Sequence, residues 1–301
     1  MRILKTNMYV NKNVIKKSYV CIFLIFLMLF SVLINVNKVY AMPFYNLKPQ
    51  YLTLRSSFYT TYSNSSEERK SNISLAAKSL DNVLVDVGAE FSFNKTVGAR
   101  TEKRGYKKSK IIFNGEFVDG VGGGVCQVST TLYNAIILSG LLITECHAHS
   151  LPVSYVAPSF DAMVNSGSAD LRFVNNTYNP IIIKASADGN ILKIELWGEP
   201  LTVKYTRQSI VIEEIPAPPE EEVYDDKGEY PELFVGEKKF LRYSKAGLKS
   251  EGYIILTENG KIKGVNKIRT DKYSAQRGLV IHGRAERVLE ENYIDENVDN
   301  I

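Results

Sequence analysis

The chain has 301 residues, enough for two domains with cores of their own, and its 45% apolar and 23% charged content is that of an ordinary globular protein. The formal net charge of +4 is set by the N-terminus: Arg2, Lys5, Lys12, Lys16, Lys17 and Lys38 lie in residues 1–41 with no acidic residue, which leaves a net −2 for the remainder. That remainder has no bulk electrostatic reason to bind nucleic acid.

Residues 1–41 read as an export segment. A basic stretch to Lys17 precedes the apolar run Tyr19–Ile34, and Val39-Tyr40-Ala41 has the small-x-small form of a cleavage site. The run is about 16 residues, at or below the roughly 17–25 that a bilayer-spanning helix needs. A cleaved signal peptide is therefore expected, with an uncleaved N-terminal anchor as the alternative. Either places the rest of the chain outside the cytoplasmic membrane, secreted or membrane-anchored, and no later segment is long and apolar enough to span.

Residues 42–60 are aromatic and polar without a clear period. Ser65-Ser66-Glu67-Glu68 has the form of a capping box, and Ile73, Ala76, Ala77 and Leu80 then recur on one helical face. Short β-like runs follow at 83–85 and 91–93. Ile111-Ile112-Phe113 and Glu116-Phe117-Val118 flank Asn114-Gly115, a strong hairpin signal. A glycine run, 120–124, opens a second helix over about 126–139, with Val128, Leu132, Ala135, Ile136 and Ser139 on its buried face and Gly140 where a glycine ends it. Leu141–Ile143, Leu171–Val174, Ile181–Ser186 and Ile191–Trp197 read as strands. The expected fold class is α+β, with a domain over 42–200 whose core is 60–200. Residues 201–227 read as a linker, most clearly 213–227, where Pro216, Pro218 and Pro219 sit among five glutamates. Residues 228–284 alternate short apolar runs with glycines and suggest a small all-β module; 285–301 is an acidic tail.

The chemistry concentrates in Gly122-Gly123-Gly124-Val125-Cys126-Gln127-Val128-Ser129. Glycines let the backbone turn sharply and let a substrate approach closely. Cys126 then falls at the first turn of a helix, where free N–H groups and the helix dipole favour a thiolate and an oxyanion. The competing reading is a buried cysteine packed by a glycine-rich turn. Two of the three histidines lie in Cys146-His147-Ala148-His149, and a histidine is the usual base for a cysteine nucleophile. Asp161, 12 residues after His149, is a candidate to orient the imidazole. Three alternatives stand beside this: a Cys126–Cys146 disulfide, a zinc site from Cys126, Cys146, His147 and His149, or histidines that are only polar loop residues.

The stretch Phe91-Ser92-Phe93-Asn94, Val97-Gly98, Arg100-Thr101, Arg104-Gly105-Tyr106, then Gly122 to Ser129, Thr131-Leu132-Tyr133-Asn134, His147-Ala148-His149-Ser150, Tyr155-Val156 and Asp161-Ala162 resembles the VanW-like domain family over about residues 60–200. Some members of that family act as peptidoglycan L,D-transpeptidases. The resemblance implies a cysteine acyltransferase in which Cys126 is acylated by a donor stem peptide and an amine of a neighbouring stem resolves the thioester. It makes His149 the base, with His147 the second candidate, and Asp161 its orienting partner. Gln127, Ser129 and Arg100 become substrate or oxyanion contacts, with Gly123, Gly124 and Tyr155 lining the substrate. The implied partners are stem peptides and glycan of the cell wall; no cofactor or metal is implied. The chain departs from the family in carrying Cys146, and in having Ala148 where a proline usually precedes the second histidine. Residues 228–284, ending in Tyr273-Ser274-Ala275 and Ile281-His282-Gly283, resemble the five-glycine extracellular domain family, regarded as wall or glycan adhesion units. Two rival functions remain: a thiol hydrolase with the same site, and a non-catalytic wall-binding protein linked to glycopeptide resistance.

Overall fold

Ser66 starts the first helix, α1 (Glu67–Leu80), by accepting a hydrogen bond from the Arg69 amide at 3.3 Å, while Glu67 and Glu68 in the first turn suit the positive helix end. Its face of Ile73, Ala76, Ala77 and Leu80 is fully buried. A computed structural model describes residues 52–113 and 115–286. Residues 1–41, where an export segment is expected, residues 42–51, Asn114 of the hairpin turn and the acidic tail from 287 lie outside the described residues.

Helix α1 packs beside a four-stranded antiparallel sheet of β1 (Thr53–Thr61), β9 (Ile191–Gly198), β8 (Ile181–Ala187) and β2 (Val83–Val85), in that order. Ile181, Ile183, Leu192, Ile194 and Leu196 turn one face of this sheet towards the helices and are fully buried. A three-stranded sheet of β3 (Glu90–Ser92), β7 (Arg172–Val174) and β6 (Leu142–Glu145), a short helix α2 (Phe93–Val97) and a hairpin of β4 (Lys108–Phe113) and β5 (Glu116–Val121) surround it. Helix α3 (Val125–Leu138) runs through the middle and contacts both α1 and the sheet.

Beyond residue 200, β10 (Lys204–Ile215) forms one edge of a sheet with β13 (Gly247–Glu258) and β14 (Lys261–Tyr273). A second small sheet pairs β11 (Glu221–Tyr224) in parallel with β15 (Leu279–His282), which also lies antiparallel to β12 (Lys238–Arg242). All described residues fall in one compact unit.

The α+β expectation is overturned. Among the described residues fifteen strands, spread over several small sheets, outweigh three α-helices, and the fold is predominantly β. Two of the unforeseen strands show why. The face that β1 turns to α3 is polar: Ser56 Oγ donates to Ala135 O at 2.7 Å, Arg55 Nε to Ser139 O at 2.9 Å, and Thr60 shares a hydrogen bond with Thr131 at 2.9 Å. A strand that buries hydroxyls gives no hydrophobic period. The stretch 213–227, expected to lack order, carries the end of β10 and all of β11. Backbone ladders to β13 and β15 order it, so its glutamates need bury no apolar surface.

Candidate functional site

Gly122, Gly123 and Gly124 bring the hairpin against the start of α3. Gly122 and Gly124 hold φ at 89° and 108°, the left-handed region that disfavours other residues. A Cβ on Gly123 would lie 2.7 Å from the Lys110 carbonyl oxygen, and one on Gly124 would lie 2.9 Å from Ile73. Cys126 is thereby placed in the first turn of α3, on the floor of a groove of about 1310 Å³.

Helix α3 is buried nearly all round, and its polar residues reach outward to pin a loop. Ser129 Oγ donates to Ala162 O at 2.6 Å, the Ala162 amide donates to Thr130 Oγ1 at 2.9 Å, and Asn134 Nδ2 donates to Phe160 O at 2.8 Å. Both neighbours of Asp161 are therefore tied to the helix that carries Cys126. Asp161 Oδ2 accepts from the His149 amide and from His149 Nδ1, each at 2.7 Å. With Nδ1 committed to the carboxylate, the imidazole acts on the Cys126 thiol through hydrogen bonding and charge. The thiol also reaches Val164 O at 3.3 Å. Cys126, His149 and Asp161 are thus assembled in one line.

The electrostatics follow from that line. Burial lowers the His149 pKa, but hydrogen bonds to Asp161 and Cys126 and their charges overcome it and carry it up to about 9. Burial raises the Cys126 pKa, and the His149 hydrogen bond and charge, helped by Arg100, bring the thiol below its ordinary value. Burial likewise works against ionised Asp161, yet His149 and Tyr273 hold its carboxyl below the usual range. Each charged form in this set therefore favours the charged form of its neighbour, the imidazolium above all.

The other expected residues divide. Arg100 lies on the groove, donates to Asn94 Oδ1 at 2.6 Å and acts on the thiol through its charge. Tyr155 lines the groove with its hydroxyl beside Thr130, and burial raises its pKa. The Gln127 side chain is spent inside the fold: Nε2 donates to Thr60 Oγ1 at 3.1 Å and Thr61 O at 3.0 Å, and Oε1 accepts from Arg69 at 3.1 Å. Ser129 is fully buried and holds the loop. His147 points elsewhere, with Nε2 at 2.9 Å from Glu145 Oε1, and is absent from the groove lining. Cys126 and Cys146 are both free, and burial pushes the Cys146 thiol up to about 12. Among the described residues no group of three histidine, cysteine or acidic side chains is placed to hold a metal ion, and no described helix is long and apolar enough to cross a membrane.

Two residues of the C-terminal module belong to the site and were not expected there. The Tyr273 hydroxyl donates to Asp161 Oδ1 at 2.5 Å and accepts from the Ser159 amide at 2.7 Å, so its proton has one direction to point. Arg269 Nη1 donates to Asp161 O at 2.7 Å and to Cys146 Sγ at 3.2 Å. Tyr273 was visible only as part of the module's closing motif; nothing in the sequence joins it to an aspartate 112 residues earlier.

Residues 68–197 match a family model described as VanW like protein. Among curated proteins, the chain is 48% identical over 141 residues to Uncharacterized protein YoaR of Bacillus subtilis (strain 168), a match covering 46% of each chain. It is 31% identical over 116 residues to Vancomycin B-type resistance protein VanW of Enterococcus faecalis (strain ATCC 700802 / V583), covering 37% of this chain and 42% of that protein. The matched region thus spans less than half the length of either relative. Weak similarity to solved G5 domains is also found. That of HP0197 is 22% identical with a TM-score of 0.15, covering 27% of this chain and 97% of that one. That of an IgA1 protease is 19% identical with a TM-score of 0.18, covering 28% and 92%. Residues 68–197 of this chain are thus similar to the VanW-like domain, by the family match and by these two relatives.

Proposed function

We propose that the protein is an exported cell-wall enzyme, a cysteine-dependent peptidoglycan L,D-transpeptidase that cross-links stem peptides through a thioester on Cys126. One observation carries the reading: the imidazole of His149 stands between a thiol and a buried carboxylate at the floor of a groove large enough for a peptide. The name of the VanW relative, a vancomycin resistance protein, supports a role at the cell wall.

In the first half-reaction the Cys126 thiolate attacks the carbonyl carbon of the donor residue that precedes the terminal D-residue. The Cys126 amide, which has no backbone acceptor among the described residues, is available to the oxyanion. As the C–N bond breaks, the His149 imidazolium gives its proton to the departing amine, leaving a thioester. In the second, an acceptor amine attacks the thioester, His149 takes its proton, and the thiolate departs. Asp161 keeps Nδ1 protonated, so that Nε2 faces the sulfur.

The test is purified protein with disaccharide-peptide substrates. Cross-linked dimers and an acyl adduct on Cys126 are expected, together with no product from Cys126→Ala and a loss of about 10²–10⁴-fold for His149→Ala. A carbapenem-type β-lactam should add its mass at Cys126. Trimmed monomers without dimers would make the enzyme a hydrolase, and cross-linking by Cys126→Ala would sink the mechanism.

A further inference from the structure

The groove beside Cys126 is lined by five cationic side chains and, among the described residues, by no carboxylate. They come from separate parts of the chain: Arg69 from α1, Arg100 from the turn after α2, Lys110 from β4, Lys245 from the segment between β12 and β13, and Lys272 from β14. Lys110 is paired with Asp119 at 3.0 Å. The other four have no carboxylate within ion-pair distance among the described residues. Arg69 and Arg100 spend hydrogen bonds on the neutral amides of Gln127 and Asn94. Burial lowers the pKa of Arg100 more than the charges of Cys126, Tyr106 and Asp170 raise it. Some cations outside the groove are held closely by carboxylates: Arg269 by Asp271 at 2.7 Å, Arg242 by Glu116 at 2.8 Å and Lys267 by Glu251 at 3.0 Å. Among the described residues, four cations without a carboxylate partner thus meet in one concave lining that holds no acidic side chain, where a substrate would lie. Like charges that converge on a concave, half-buried surface focus a positive potential along it.

We propose that this groove selects peptides whose side carboxylates are free rather than amidated, and that Lys245 and Lys272 of the C-terminal module are specificity-determining residues for them. This rests on the reading of Cys126 as the acyl acceptor. A peptide donor that carries several free carboxylates answers the uncompensated charge; amidation of those carboxylates removes the attraction while leaving size and shape nearly unchanged. The two lysines are exposed, so their substitution leaves the core untouched.

The experiment uses the full chain as Cys126→Ala and a fluorescent stem tetrapeptide in two forms, with free acids and with its side carboxylates amidated. Polarisation should show the free-acid form binding about tenfold tighter at low salt, as two or so partly screened ion pairs would give. The advantage should shrink as salt rises. Lys245→Glu with Lys272→Glu should erase it, and Lys245→Gln with Lys272→Gln should reduce it. Equal binding of the two forms, binding of neither, or an advantage that survives both charge reversals overturns the proposal. The wild-type protein separates the two claims. If the free-acid peptide binds preferentially and never acylates Cys126, the enzyme reading fails while the selectivity stands. If Cys126 acylates both forms at equal rates, the selectivity fails while the enzyme reading stands.

Discussion

His149 carries an electrostatic consequence that can be read directly from stability. Its pKa of about 9 lies above the roughly 6.5 of an unfolded histidine. The stability it contributes is therefore fully present below about pH 6.5 and is lost as the pH rises through about 9. Asp161 works the other way: held below its unfolded value of about 3.9, it contributes above that pH, and the contribution is lost as acid protonates it. Stability should thus fall on the alkaline side near pH 9, and denaturant unfolding of His149→Gln across pH 6–10 should lack that fall. The thiol gives a second measure. Alkylation of Cys126 by iodoacetamide should stay fast well below the ordinary thiol value of about 8.5. In His149→Ala the same rate should rise only at higher pH, because burial remains and the imidazole is gone. A wild-type profile centred on 8.5 or above would refute the ion pair.

Helix α3 shows what a single element does for the site. It carries the sulfur at its start and then uses Ser129, Thr130 and Asn134 to pin the residues on either side of Asp161. Gln127 locks it to β1. Gln127→Ala should therefore cost roughly 1–3 kcal/mol of stability, because it takes a donor from both the Thr60 hydroxyl and the Thr61 carbonyl and the acceptor from Arg69. A calorimetric melting temperature equal to wild type would contradict that role. Gly123→Ala should also lower it, by driving a methyl into the Lys110 carbonyl. Much of this element was legible: the glycine run, the helix after it, its apolar face and its terminating Gly140 at φ 70° all lie where residue chemistry puts them. The polar face was not. Serine, threonine and glutamine in a helix normally read as solvent-facing or substrate-facing, and only tertiary contacts reveal that Gln127 and Ser129 are structural fastenings. The same blindness hid β1, whose partners are hydroxyls, and β10, whose order comes from backbone pairing.

At the level of the whole molecule, the thiol site and the C-terminal module are one construction. Tyr273 caps the outer oxygen of Asp161, Arg269 holds the Asp161 carbonyl, and the Ser274 amide donates to Ser150 O at 2.8 Å. The VanW-like match ends at residue 197, so these contacts come from outside the matched region. Tyr273→Phe would leave a buried carboxylate oxygen without its shortest donor, at a cost of about 1–3 kcal/mol. Urea unfolding of the full chain should register it as a lower midpoint, and an unmoved midpoint would show that the hydroxyl does not fasten the module to the site. Arg269 has another effect, through Cys146, the second of the two described cysteines. Cys146 sits under that guanidinium, and its thiol stays protonated to about pH 12. A thiol-reactive dye applied to residues 50–301 at neutral pH should load one equivalent, and a second only once the β14 strand has been pulled away. Dye stoichiometry then becomes a gauge of docking, counting the molecules in each preparation whose two halves are properly closed.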